Sequence, residues 1–95
     1  MPAATRKGDK CTGHGCYAPR PNAKASNNVF INGKGAHRKG DAWQIHKCGI
    51  PSHGGVTKSG SSSVFVNGKP IARIGDPISC GSAILEGSSN VFCGG

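Results

Sequence analysis

The feature that most constrains this chain is a repeated segment whose third copy is split across the two ends. Residues 26–41 read SNNVFINGKGAHRKGD and residues 61–76 read SSSVFVNGKPIARIGD, in one register throughout. The chain ends Asn90-Val91-Phe92-Cys93-Gly94-Gly95 and begins, after Met1 and Pro2, Ala3-Ala4-Thr5-Arg6-Lys7-Gly8-Asp9. Its end supplies the first half of the unit and its start the second. Phe30, Phe65 and Phe92 are therefore equivalent, as are Arg6, Arg38 and Arg73, and Asp9, Asp41 and Asp76. The third unit forms only if the two ends meet.

Each internal copy holds a β-branched apolar run, an Asn-Gly pair (Asn32-Gly33, Asn67-Gly68) and a second short run. A two-residue type I′ turn needs positive φ at both central positions, and Asn-Gly supplies it at little cost, so each copy is expected to be a β-hairpin. The Gly-Asp that follows reads as a turn in which the carboxylate bonds nearby amides and pairs with the Arg three residues before it. Three hairpins related by a pseudo-three-fold axis would close on one another and leave no long exposed edge. The fold expected is all-β, three pseudo-three-fold hairpins with irregular arms, and all of residues 1–95 form one domain. The arms, residues 10–28, 42–63 and 77–90, are rich in Gly, Ser, Pro and His. They have no helical period, with residues 83–86 the one stretch suited to a single helical turn. Tyr17 and Trp43 are expected to fill gaps in the core.

Strand alternation puts Val29 and Ile31 on one face and Phe30 on the other, and Val64, Phe65 and Val66 repeat this. Only one face of so small a protein needs to be interior. The other is a docking candidate, and the residues that could serve it are Val29, Phe30, Ile31, Val64, Phe65, Val66, Val91 and Phe92.

Ninety-five residues with 16 Gly, one Trp, one Tyr and three Phe cannot build a large core. Some staple is required. The Cys count is 5, an odd number, and the first residues lack the apolar run of a secretory signal, which argues against a fully disulfide-paired secreted scaffold. No apolar run approaches the ~18 residues that cross a bilayer, so the expectation is a chain made soluble in the cytosol. The net charge of +8 invites a nucleic-acid reading, and a small zinc-dependent nucleic-acid-binding module is the alternative function. Against it, the basic residues are spread over the chain without interleaved aromatic rings for stacking on bases.

His14 and His46 each lie five residues after a repeat aspartate, Asp9 and Asp41, and Cys80 lies four after Asp76. Under three-fold symmetry these side chains arrive at one place, and His53 in the longest arm can supply a fourth ligand. Three imidazoles and a thiolate suit tetrahedral zinc, and four protein ligands define a structural site. His37 aligns with Thr5 and Ala72 inside a strand and is not expected to be a ligand. Cys11, Cys16 and Cys48 are rival thiols, and Cys93 has no assigned role. Catalysis is not expected: three of the four acidic residues are the repeat aspartates, Glu86 stands alone, and no phosphate loop or paired carboxylates are present.

The run Pro70-Ile71-Ala72-Arg73-Ile74-Gly75-Asp76, with residues 3–9 and 35–41 as looser copies, resembles the motif of the PAAR-repeat proteins. The resemblance covers nearly the whole chain, although no copy spells the four letters without a change. It implies a small cone of three β-hairpins with irregular arms converging on a metal-bound apex, a structural cap without enzymatic activity or effector extension that sits as a monomer on a trimeric β-helical spike. Such caps sharpen the spikes of type VI secretion systems and contractile phage tails and meet the target envelope first. It also implies one zinc near the apex held by three His and one Cys, which agrees with His14, His46, His53 and Cys80, and a chain made in the bacterial cytoplasm, assembled at the spike tip and delivered outward.

Overall fold

The computed structural model describes residues 1–48 and 52–94. The strands among them are two residues long: β1 (Phe30–Ile31), β2 (Lys34–Gly35), β3 (His46–Lys47), β4 (Ser52–His53), β5 (Phe65–Val66) and β6 (Lys69–Pro70). β1–β2 and β5–β6 are antiparallel hairpins in equivalent register, Phe30 opposite Gly35 and Phe65 opposite Pro70. Their turns hold Asn32 and Asn67 at φ 53° and 55°, each followed by a glycine at 77°, as a type I′ turn demands. The third hairpin is built from the chain ends. Phe92 bridges Ala3, the Ala4 amide donates to the Val91 carbonyl at 2.9 Å, and the Cys93 amide donates to the Pro2 carbonyl at 3.0 Å. Each hairpin is entered through a buried serine, Ser26, Ser61 or Ser88, whose Oγ accepts the amides two and three residues on.

The three repeats close into a ring through the bridges Ala4–Arg73, Arg38–Ile71 and Arg6–Ala36. Around the pseudo-axis the Thr5 amide donates to Ala72, the Ala72 amide to His37 and the His37 amide to Thr5, at 3.0, 2.9 and 3.0 Å. This cycle pairs the inner edge of every hairpin, and all three residues are fully buried. Each repeat arginine and aspartate then form a clamp. The Asp41 carboxylate accepts the Arg38 amide, Nε and Nη2 at 3.0, 2.8 and 3.0 Å, and Arg6–Asp9 and Arg73–Asp76 repeat the pattern. The remaining Nη1 of each arginine reaches a neighbouring hairpin, at Asn32, Asn67 and the Gly94 carbonyl in turn. Charge-assisted bonds of this bidentate kind fix orientation as well as energy.

The arms are more regular than expected. Lys10 bridges Pro21, Ala42 bridges Val56 and Pro77 bridges Ala83 within arms, while Asn22–Trp43, Thr57–Ile78 and Ile84–Cys11 join one arm to the next. The arms therefore close three-fold like the base, and Ala83 and Ile84, in the one stretch suited to a helical turn, form β-bridges instead. Buried apolar side chains form a base cluster of Ala4, Ile31, Ala36, Val66, Ile71 and Cys93 and an arm cluster of Cys11, Trp43, Ala72, Ile78 and Ile84. Cys93 is the third copy of Ile31 and Val66, and Cys11 is the arm-one counterpart of Trp43 and Ile78.

The docking candidates separate into two groups. Ile31 and Val66 are 7% and 5% exposed and belong to the base cluster, so their place among docking residues is corrected. Val29 and Val64 do not share their face, because the strands begin at Phe30 and Phe65 and strict alternation does not extend to the residue before. Phe30, Phe65 and Phe92 are 60%, 57% and 51% exposed, and Val29, Val64 and Val91 are each 38% exposed. The outer side of the base thus carries the same apolar pair three times.

Candidate metal centre

Two of the four candidate ligands face each other across one small hairpin, since β3 and β4 pair His46 directly opposite His53 and opposed residues of a hairpin share a face. His14 is delivered by a tight turn in arm one, where its amide and carbonyl exchange hydrogen bonds with those of Tyr17 at 3.0 and 2.9 Å. Gly13 precedes it at φ 72°, and a Cβ there would stand 2.5 Å from the Tyr17 carbonyl oxygen. Only glycine meets both conditions. Cys80 comes from arm three, packed against the arm cluster, inside a turn closed by the Ile78 amide on the Ser82 carbonyl at 2.8 Å.

The ligand atoms of His14, His46, His53 and Cys80 all lie within 4.8 Å of one another. His53 Nε2 is 2.9 Å from His14 Nε2 and 2.7 Å from His46 Nε2. His46 Nδ1 lies 2.9 Å from the Ala18 carbonyl, which can only accept, so the proton is on Nδ1 and Nε2 turns a lone pair toward the cluster. A single proton on His53 Nε2 cannot serve both facing nitrogens. A cation where they converge would serve all of them, so the donor set fits a metal ion of the borderline-soft kind. Burial first, then His46, His14 and Arg20, push the His53 imidazole below its ordinary value, toward the neutral form that ligates. Burial acts to raise the Cys80 thiol, but hydrogen bonds from Ser82 and Arg20 outweigh it and the net shift is downward, toward thiolate.

Tyr17 is not core filling. Its ring lies 4.8 Å from His14, 4.9 Å from His46 and 4.2 Å from His53, so it covers the imidazoles. Trp43 is in the core as expected. His37 stands apart from the cluster on the pseudo-axis. Its Nδ1 donates to the Lys24 carbonyl and its Nε2 accepts the Thr57 hydroxyl, both at 2.7 Å, while Thr57 Oγ1 accepts Trp43 Nε1 at 2.9 Å. Two of the rival thiols are accounted for by each other: Cys16 and Cys48 form a disulfide between arms one and two. The signal for it is in the chain, because each stands two residues after a histidine that the repeat makes equivalent, His14 or His46. Cys11 is fully buried in the arm cluster.

These features define a class: a small all-β protein of three permuted hairpin repeats whose arms bring together three His and one Cys. The PAAR motif family model matches residues 14–85 and again residues 49–95. The chain belongs to the PAAR-motif family. No curated protein matches it.

Proposed function

We propose that this protein is a non-catalytic cap that seats on the blunt end of a trimeric β-helical spike in a contractile injection machine. There it forms the point that enters the target envelope. The observation that carries this reading is the outer face of the base, where Phe30, Phe65 and Phe92, each beside an exposed valine, repeat around the pseudo-three-fold axis. Three large apolar side chains left in water at equivalent positions suit burial against a partner, and a partner with a true three-fold axis can meet each hairpin with an equivalent surface. The ion proposed for the cluster is zinc, bound once per chain by His14, His46, His53 and Cys80. It would tie three arms with little apolar surface of their own, so that its binding energy becomes folding energy.

Two measurements test the proposal. Binding to a purified trimeric spike should fall at least about 100-fold in Phe65→Asp, by the loss of one central apolar anchor, with the unfolding midpoint unchanged because the side chain is already exposed. Full binding by folded Phe30→Asp, Phe65→Asp and Phe92→Asp variants alike would overturn docking through the base. Elemental analysis should find one zinc per chain in the wild type, lost or weakened in His14→Ala, His46→Ala, His53→Ala and Cys80→Ser and retained in His37→Ala. Metal content indifferent to those four changes would overturn the site.

A further inference from the structure

Arg20 is the arginine that the repeat does not explain. The other three each clamp an aspartate, and the remaining carboxylate, Glu86, accepts the Lys10 amide at 2.8 Å. Among the described residues Arg20 has no carboxylate partner, yet it is only 4% exposed. A buried guanidinium requires strong acceptors for its donors. Arg20 Nε donates to the Gln44 carbonyl at 2.7 Å. Its two terminal nitrogens both go to sulfur, Nη1 to Cys11 Sγ at 3.0 Å and Nη2 to Cys80 Sγ at 3.4 Å, with the guanidinium carbon 5.2 Å from the centre of the Trp43 ring.

The fork is rigid, so its anchoring decides where Nη2 points. Gln44 holds Nε, and Cys11 holds Nη1 from a fully buried position where its own amide donates to the Arg20 carbonyl at 3.0 Å. With two of three directions fixed, a planar group cannot turn its third donor away from Cys80. The chain leaves room for this contact at Gly55, two residues after His53. A Cβ there would stand 3.1 Å from the Ile78 side chain and 3.4 Å from both Arg20 Nη2 and Cys80 Cβ.

We propose that Arg20 is the positioning residue for the thiolate ligand of the metal centre. Its Nη2–H bond sets the direction in which the Cys80 sulfur presents its lone pair and takes up part of the sulfur's charge, while Cys11 serves as the fixed anchor of the fork. This rests on the assignment of Cys80 as a ligand. It also makes a prediction of sign. Three neutral imidazoles and one thiolate leave a divalent ion with a net positive site, so a guanidinium acting through charge alone would weaken metal binding and its removal would tighten it. A guanidinium acting through position does the reverse, and partners of this outer kind are worth about 10- to 100-fold in metal affinity.

The test is Co²⁺ and Zn²⁺ binding to the full chain as wild type, Cys80→Ser, Arg20→Met and Arg20→Lys. Co²⁺ should give a sulfur-to-metal charge-transfer band in the wild type that Cys80→Ser abolishes. Folded Arg20→Met should move that band to lower energy, because the sulfur lone pairs lose their hydrogen bond, and weaken Zn²⁺ in chelator competition by about 10- to 100-fold. Arg20→Lys, which keeps the charge without the fork, should move the band in the same direction. An unmoved band with equal or tighter Zn²⁺ binding in folded Arg20→Met overturns the role of Arg20 and leaves the metal site standing. A wild type without a Cys80-dependent band overturns both. Should Arg20→Met fail to fold, wild-type protein loaded with an NMR-active cadmium isotope decides the matter: scalar coupling between the metal and an Arg20 Nη proton through the sulfur supports the proposal, and its absence overturns it.

Discussion

The Cys16–Cys48 disulfide joins two of the three arms that meet at the candidate metal centre, and the two should stabilise the protein by independent routes. The disulfide acts on the unfolded chain. Closing a loop of 32 residues removes roughly 12 cal/mol/K of its conformational entropy, or about 3.7 kcal/mol at 25 °C. The proposed zinc would act on the folded state, contributing about 2.7 kcal/mol when present at a hundred times its Kd, provided that unfolding releases it. The two contributions should therefore add, although His14 and His46 are separated by the same interval as the two cysteines. Replacing both, Cys16→Ser with Cys48→Ser, removes the cross-link without leaving a stray thiol beside the ligands. Guanidinium denaturation of wild type and double variant, each with chelator and with saturating zinc, should give a loss of about 3–4 kcal/mol in both metal states. In thermal scans that corresponds to roughly 15–30 °C for a domain of this size. A loss below about 1 kcal/mol without metal would refute the loop-closure account. A loss that differs between the two metal states by more than about 1 kcal/mol would refute additivity and place metal on the unfolded chain.

His37 should make the fold sensitive to acid. Burial holds its imidazole below the ordinary value, with Arg38 adding to this and the Lys24 carbonyl, Asp41 and Asp9 opposing it. The unfolded chain takes up the proton first as pH falls through about 6.5, so this contribution to stability is complete above that pH and is lost as pH descends toward the lower folded value. Denaturation midpoints of metal-free protein between about pH 7.5 and 5 should fall less steeply for a folded His37→Gln variant than for wild type; parallel slopes would count against it. The three arginine–aspartate clamps form an internal comparison. The Asp41 side chain is 1% exposed, against 6% for Asp9 and 7% for Asp76, so Asp41→Asn should cost the most, about 3–5 kcal/mol as for a broken buried pair. Equal midpoints for the three Asp→Asn variants would show that burial does not set their strength.

The base was legible because its structure is dictated by local chemistry repeated in register. Asn32-Gly33 and Asn67-Gly68 could do little but turn, the Arg and Asp three apart could do little but clamp, and the split third copy required the ends to pair. The offsets of His14, His46 and Cys80 from the repeat aspartates carried the same register outward, which is why the cluster could be assembled on paper. The arms were opaque for the opposite reason. Their closure runs through backbone bridges such as Thr57–Ile78 and Cys11–Ile84, and backbone pairing leaves no pattern of side chains to read. Strands of two residues also defeat alternation, so Val29 could not be told from Ile31. Tyr17 and Arg20 owe their places to contacts between arms, which no local rule supplies.

Which positions of the repeat are identical in all three copies, and which drift, bears on function. Among the exposed positions of the base one apolar pair is identical in all three copies, Phe at 30, 65 and 92 and Val at 29, 64 and 91, while its neighbours vary, as Asn28, Ser63 and Asn90 do. The buried Ser26, Ser61 and Ser88 and the buried Asp9, Asp41 and Asp76 are also identical, and each is held by the hydrogen bonds it makes within its own copy, but the layers on the axis diverge: Ile31, Val66 and Cys93 fill one, Thr5, His37 and Ala72 another, and Cys11, Trp43 and Ile78 a third. Packing explains the divergence. Three side chains that meet on an axis need only share a volume between them, so a large one in one copy is offset by smaller ones in the others. Nothing inside the monomer asks for identity on the outside, where each side chain meets solvent separately and a lysine would stabilise the fold as well. A surface that must fit three equivalent sites at once does ask for it, since any departure in one copy would leave one site of a symmetric partner poorly filled. The identity of this one exposed apolar pair, which no hydrogen bond inside the monomer explains, therefore supports the proposed three-fold partner at the base on grounds separate from its apolar character.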